Sequence, residues 1–143
     1  DQPRSRGLGD VYKRQDRMFN QIFLKFNKKI GYYAKDYVDY DAIISMNEAK
    51  GACLAGVGID SKEPLKKYFT ESRDYFIQGN FDEKKMLLPN DSMKLELEKY
   101  INSISNFTDQ QKSGWICGLG HGILKETPEE NVKTFIKMIR EAF

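Results

Sequence analysis

Apolar residues recur at short, regular intervals along most of the chain. Met18, Ile22, Phe26 and Ile30 are spaced by four, with Phe19 and Phe23 beside them and lysine, asparagine and glutamine between. That spacing predicts an amphipathic helix over 16–35 whose aromatic stripe packs into a core. Ala42-Ile43-Ile44-Ser45-Met46 is a short apolar run, the pattern of a buried strand, and 48–56 has the small residues of a short helix. Val57-Gly58-Ile59-Asp60 predicts a second strand ending in a carboxylate. Residues 61–70 predict a helix with Pro64 in its first turn and Leu65, Tyr68 and Phe69 facing inward. Tyr75-Phe76-Ile77-Gln78 predicts a third strand, closed by Gly79-Asn80. Asp82 is placed to cap a short helix reaching Leu88, which Pro89 stops. Leu95, Leu97, Ile101 and Ile104 mark a longer helix over about 91–105, and 106–114 reads as a polar loop.

Trp115-Ile116-Cys117 predicts a fourth strand and runs into the glycine-rich loop GLGHGIL, residues 118–124. Thr127-Pro128-Glu129-Glu130 reads as a capping box with proline at the first helical position. Val132, Phe135, Ile136 and Ile139 then give the buried face of a last helix. A helix followed by four strands alternating with helices predicts a parallel sheet with helical crossovers. Four such units cannot close an eight-stranded barrel.

Within that frame the loop at 118–124 stands out. It follows a strand and precedes a helix, where α/β proteins place their sites, and it holds the only histidine, His121. Taken alone, a single histidine is more often structural than functional; the glycines at 118, 120 and 122 add the possibility of a close approach to a ligand. The loop is not a dinucleotide fingerprint, because Ile123 stands where the third glycine of GxGxxG belongs and no second strand with an acidic end follows. Cys117 and His121 are too few for a zinc site. Gln78 and Asn80 end the third strand on one face, where they either meet a ligand or pin the loop through backbone hydrogen bonds. Asp60 reads as structural.

Composition narrows the class. The chain has 143 residues, 40% hydrophobic and 31% charged, which suits one globular domain. A net charge of +2, with lysines spread among glutamates, argues against a nucleic-acid partner. No run approaches a membrane span, no apolar leader is visible, and Cys53 and Cys117 form no paired motif. Buried free thiols in a reducing, cytoplasmic setting are therefore expected. Residues 1–15, DQPRSRGLGDVYKRQ, lack any period and begin without methionine. They are expected to be a non-native or disordered tail, with 16–143 as the folded part.

GLGHGILKETPEENVKTFIKMI, residues 118–139, resembles the C-terminal signature of uroporphyrinogen decarboxylases. Phe76-Ile77-Gln78-Gly79-Asn80-Phe81-Asp82 is similar to that family's strand ending in glutamine-glycine-asparagine, and Gly58-Ile59-Asp60 to its glycine-leucine-aspartate strand end. The resemblance implies the C-terminal part of a (β/α)8 TIM barrel, truncated at the N-terminus, with about four parallel strands and their helices. It implies a carboxy-lyase that removes carbon dioxide from the four acetates of uroporphyrinogen III to give coproporphyrinogen III. It further implies no metal or organic cofactor, a homodimer when full length, and a substrate cleft holding His121, Gln78, Asn80, Gly120 and Gly122. No catalytic residue is assigned, because the family's arginine motif, catalytic aspartate and site tyrosine fall outside this stretch. Two alternatives accompany this reading. One is a zinc- and corrinoid-dependent methyltransferase of the same superfamily, whose members look to carry cysteine where His121 stands; the other is an inactive fragment.

Overall fold

A computed structural model describes residues 17, 21–22, 28–33, 39–49 and 53–143. The segment 1–15 lies outside the described residues. Four strands, β1 (Ile30–Tyr32), β2 (Leu54–Gly58), β3 (Phe76–Gln78) and β4 (Trp115–Ile116), form one parallel sheet in sequence order. The register pairs Gly58 with Gln78 and Gln78 with Ile116, so the three share one face. Helix α1 (Tyr40–Ala49) connects β1 to β2, and helix α2 (Asn90–Ser105) with the single turn α3 (Asp109–Lys112) connects β3 to β4. Helix α4 (Glu129–Ala142) closes the chain.

The alternation of strands and helices is as expected, but the first strand is displaced. Ile30–Tyr32, assigned by spacing to the end of a helix, is β1, held by Ile30 N–H donating to the Cys53 carbonyl at 2.9 Å. Spacing by four does not exclude a strand at the end of the run, and the parallel partner decides it. Arg17, Gln21 and Ile22 are helical; the rest of 16–29 except Lys28 and Lys29 lies outside the described residues. The run 42–46, expected as a strand, belongs to α1. Asp39 accepts from the Ala42 N–H at 2.9 Å and caps that helix. Tyr40, Ile43 and Asn47 are buried at helical spacing while Asp41 and Glu48 are exposed. Asn47 then accepts from the Leu54 N–H at 2.7 Å, which ties α1 to the start of β2.

Between β2 and β3 the predicted helix shrinks to one 3-10 turn, Leu65–Tyr68, with Pro64 just before it; Leu65, Tyr68 and Phe69 are buried as expected. The preceding residues are held otherwise, by Lys62 N–H donating to Asp60 Oδ1 at 2.8 Å and Glu63 N–H to the Asp60 carbonyl at 3.0 Å. Asp82 caps a 3-10 turn, Glu83–Leu87, by accepting from Lys84 N–H. The polar loop at 106–114 contains α3, with a capping box between Thr108 and Gln111. No box forms at 127–130: Pro128 occupies the cap position and the Thr127 hydroxyl is buried without a partner. In α4 the buried residues are Phe135 and Asn131, whereas Ile136 is exposed. Asn131 donates to the Met86 and Leu88 carbonyls, both at 2.8 Å, so a polar side chain anchors this helix.

One core cluster lies between the sheet and its helices around Val57, Ile59 and Ile77; a second joins Phe81, Met86, Met93, Leu97 and Phe135. Of the apolar residues that mark this helix, Leu95 is 59% exposed, while Leu97 is fully buried. Leu97→Ala should therefore cost about 2–5 kcal/mol of stability. Leu95→Ala should stay within about 0.5 kcal/mol. Urea unfolding followed by circular dichroism measures both; equal costs would contradict this packing.

Candidate functional site

The carboxyl ends of β2, β3 and β4 gather most of the polar residues singled out in the sequence. The β3–β4 ladder does not stop where the strands do. Gly79 N–H donates to the Ile116 carbonyl at 3.1 Å, Phe81 N–H to Gly118 at 2.9 Å, and Gly120 N–H to Phe81 at 2.8 Å. This extension carries the glycine loop alongside 79–81 and across toward the end of β2. Gly120 is buried there, and a Cβ on it would stand 2.3 Å from the Ser61 backbone nitrogen. Only a residue without a side chain lets the loop lie this close.

His121 consequently meets Asp60, just beyond β2. Its Nε2 lies 2.7 Å from Asp60 Oδ2, and both side chains are nearly buried. Asp60 is held at its other polar atoms: Oδ1 accepts from Lys62 N–H, its N–H donates to the Tyr40 hydroxyl at 2.9 Å, and its carbonyl accepts from Asn80 Nδ2 at 2.9 Å. Burial pushes the Tyr40 phenol up to about 12, with the nearby Asp60 charge adding to that rise, so this support stays neutral. The other ring nitrogen, His121 Nδ1, is 2.7 Å from the Tyr33 hydroxyl, which also lies 3.2 Å from the Gly120 carbonyl. Tyr33 reaches this point because one edge of its ring lies against Gly58, where a Cβ would run into it.

Gln78 is exposed and lines a cavity of about 320 Å³ together with Tyr33, His121 and Gly122. Gly122 also borders a larger cavity of about 610 Å³ with His121, Lys62 and Lys84. Asn80 does not share this face. The chain turns at Gly79, φ +129°, and Asn80 is buried with its amide donating to the Asp60 and Glu63 carbonyls. It lines a separate cleft of about 410 Å³. The expectation that Gln78 and Asn80 share one face is thus corrected, and the side-chain donor of Asn80 is spent on holding Asp60.

Cys53 is fully buried and Cys117 half-buried, and no disulfide joins them. Burial pushes the Cys117 thiol up to about 12, against a smaller lowering by the Tyr100 hydroxyl, which leaves it a poor nucleophile. No group of three metal-ligating side chains exists among the described residues, and none of their helices is long and apolar enough to cross a membrane. Sequence reading missed Tyr33 and gave Asp60 no part in the site. Tyr33 lies 88 positions from His121, and no local pattern announces such a contact. Glycines alternating at 56 and 58 were the one available sign that aromatic rings would lie against the sheet.

Parallel strands with crossover helices, and polar groups collected at the strand carboxyl ends, define part of an α/β barrel. The sequence model of a family described as uroporphyrinogen decarboxylase (URO-D) matches residues 15–142. The chain belongs to this family. Relatives named uroporphyrinogen decarboxylase include one from Chlamydia muridarum (strain MoPn / Nigg), 44% identical over 63 residues, covering 44% of this chain and 17% of the relative. One from Chlamydia trachomatis serovar D is 43% identical over 94 residues, 60% of this chain and 26% of the relative. One from Thermus thermophilus is 35% identical over 96 residues, 67% of this chain and 26% of the relative. The matched stretches thus span about a quarter or less of these relatives' lengths.

Gly120→Ala should destabilise the protein by about 1–3 kcal/mol, because the clash is with backbone that cannot rotate away. Gly122→Ala, whose Cβ would meet nothing within 4 Å, should change stability by less than about 0.5 kcal/mol. Thermal or urea unfolding compares the two, and a neutral Gly120→Ala would contradict the close packing of loop on strand end.

Proposed function

We propose that this chain is the C-terminal portion of a uroporphyrinogen decarboxylase, which converts uroporphyrinogen III to coproporphyrinogen III by removing the four acetate carboxylates. The observation that carries the reading is the His121 loop, set at the strand carboxyl ends beside Gln78 in a chain of this family. Chemically, each acetate loses carbon dioxide once the ring carbon next to the one bearing it has been protonated. The carbon–carbon bond then breaks and its electron pair enters the cationic ring, leaving an exocyclic methylene. A proton on that methylene and loss of the ring proton give the methyl group, so each release consumes one proton overall. A site for this needs a group that holds and returns a proton next to the ring.

His121, engaged at both ring nitrogens, suits that work better than direct donation to a substrate carboxylate. Gln78 and Gly122 border the same cavity and would contact the tetrapyrrole, while Gly120 and Asn80 shape and brace the site. Lys62 and Lys84, at the rim of the larger cavity, suit the carboxylates of a polyanionic substrate. In this reading the whole protein acts in the cytoplasm as a homodimer without metal or organic cofactor.

The test is His121→Ala in a full-length protein containing this chain, assayed by chromatography of the porphyrins formed from uroporphyrinogen III. Turnover should fall about 100-fold, the lower end of what a positioned acid–base group contributes. Unchanged kinetics would remove His121 from the reaction.

A further inference from the structure

We propose that Asp60, His121 and Tyr33 form a proton relay in which Asp60 fixes one ring proton and the second is exchanged through the Tyr33 hydroxyl. The inference extends the decarboxylase reading by assigning two residues that sequence reasoning left outside the site. Its geometry stands without any assumption about substrate.

Asp60 Oδ2 is buried and accepts no hydrogen bond among the described residues as they stand, and His121 Nε2 lies 2.7 Å from it, so a small turn of the ring brings an Nε2–H onto it. An imidazole lone pair aimed at a carboxylate oxygen would be repelled, whereas an N–H satisfies it. Asp60 cannot turn away, since its other oxygen and both its backbone polar groups are committed. Nε2 therefore keeps its proton in both states of the ring.

Exchange is left to Nδ1. In the neutral ring, Nδ1 accepts from the Tyr33 O–H across 2.7 Å. When the ring takes a second proton, Nδ1–H donates to the Tyr33 oxygen, and the Tyr33 proton turns to the Gly120 carbonyl 3.2 Å away. Both ring nitrogens of His121 thus face a polar oxygen in either state. A proton arriving from the cavity at the Tyr33 oxygen passes on to Nδ1, and the reverse path returns it, so atoms and charge balance. Tyr33 is 55% exposed and borders both cavities, while the His121 side chain is 12% exposed. Tyr33 is thus the outward end of the relay and a candidate catalytic residue, with Asp60 a positioning residue acting through the ring.

In a histidine-labelled full-length protein containing this chain, the His121 signals are assigned by their loss in His121→Gln. Long-range 1H–15N correlation, at a pH where the ring is neutral, then reads the tautomer directly. The expected result is one form, with the proton on Nε2. A predominant Nδ1–H form, or the averaged signals of a free imidazole, overturns the proposal. Asp60→Asn should bring in the Nδ1–H form, because a neutral amide can present either N–H or C=O to Nε2; an unchanged tautomer contradicts the role of Asp60. Tyr33→Phe should leave the Nε2 proton in place and move the Nδ1 signal toward that of an unbonded lone pair; an unmoved Nδ1 signal removes Tyr33. In a full-length protein, Tyr33→Phe should lower kcat about tenfold with little change in KM; an unchanged kcat removes the step through Tyr33. Absence of turnover by the unsubstituted full-length protein would overturn the proposed function while leaving the tautomer result to decide the relay.

Discussion

Hydrogen bonds between β3 and β4 continue past both strands, and the site depends on that extension. The Gly118, Phe81 and Ile116 carbonyls accept in turn, which brings 117–120 down alongside 79–81 in nearly strand-like form. The histidine that follows is carried over the end of β3 to the aspartate beyond β2. The approach is tight enough that a methyl group on Gly120 would collide with the Ser61 backbone. Placement of His121 is therefore set by the sheet, with the loop held against it. Sites built on such backbone hold their groups more accurately than sites on free loops.

Around this contact, the second set of interactions is polar and local to the strand ends. Asn80 holds the Asp60 carbonyl, Tyr40 receives its N–H, and Tyr100 both accepts from Asn80 N–H at 2.9 Å and donates to the Gly79 carbonyl at 3.1 Å. Tyr100 stays neutral because burial raises its phenol far above the ordinary range. Residues that sequence reading offered as ligand contacts thus divide in two. Gln78, His121 and Gly122 face a shared space, while Asn80 and Gly120 shape the wall behind it.

The parts of the fold written in local pattern were readable in the sequence. Alternating elements, the strand at 76–78, the cap at Asp82 and the long helix at 90–105 all follow from short-range spacing and turn chemistry. Errors fall where tertiary partners decide. The run 42–46 is apolar enough for a strand, yet the Asp39 cap and the contact of Asn47 with Leu54 make it helix. Ile30–Tyr32 fits a helical stripe, yet it pairs with β2. The candidate site was legible only at the glycine-histidine loop and at the ends of the predicted strands. The Tyr33 contact was not, because it joins residues 88 apart through a ring resting on Gly58.

One face of the sheet carries Gly58, Gln78 and Ile116, with Tyr33 lying across it, and it is sparsely covered: Ile116 is 47% exposed. In a parallel barrel this is the face that looks inward, and its carboxyl end is where ligands are received. The proposed function puts the tetrapyrrole against this end. A crystal structure of a full-length protein containing this chain, soaked anaerobically with uroporphyrinogen or its product, tests it most directly. The macrocycle should lie over the Tyr33–Gln78–His121 face, with the Tyr33 hydroxyl within hydrogen-bond distance of it or of one bridging water. A macrocycle bound away from this face, or a face filled by side chains from the remaining strands, would contradict it.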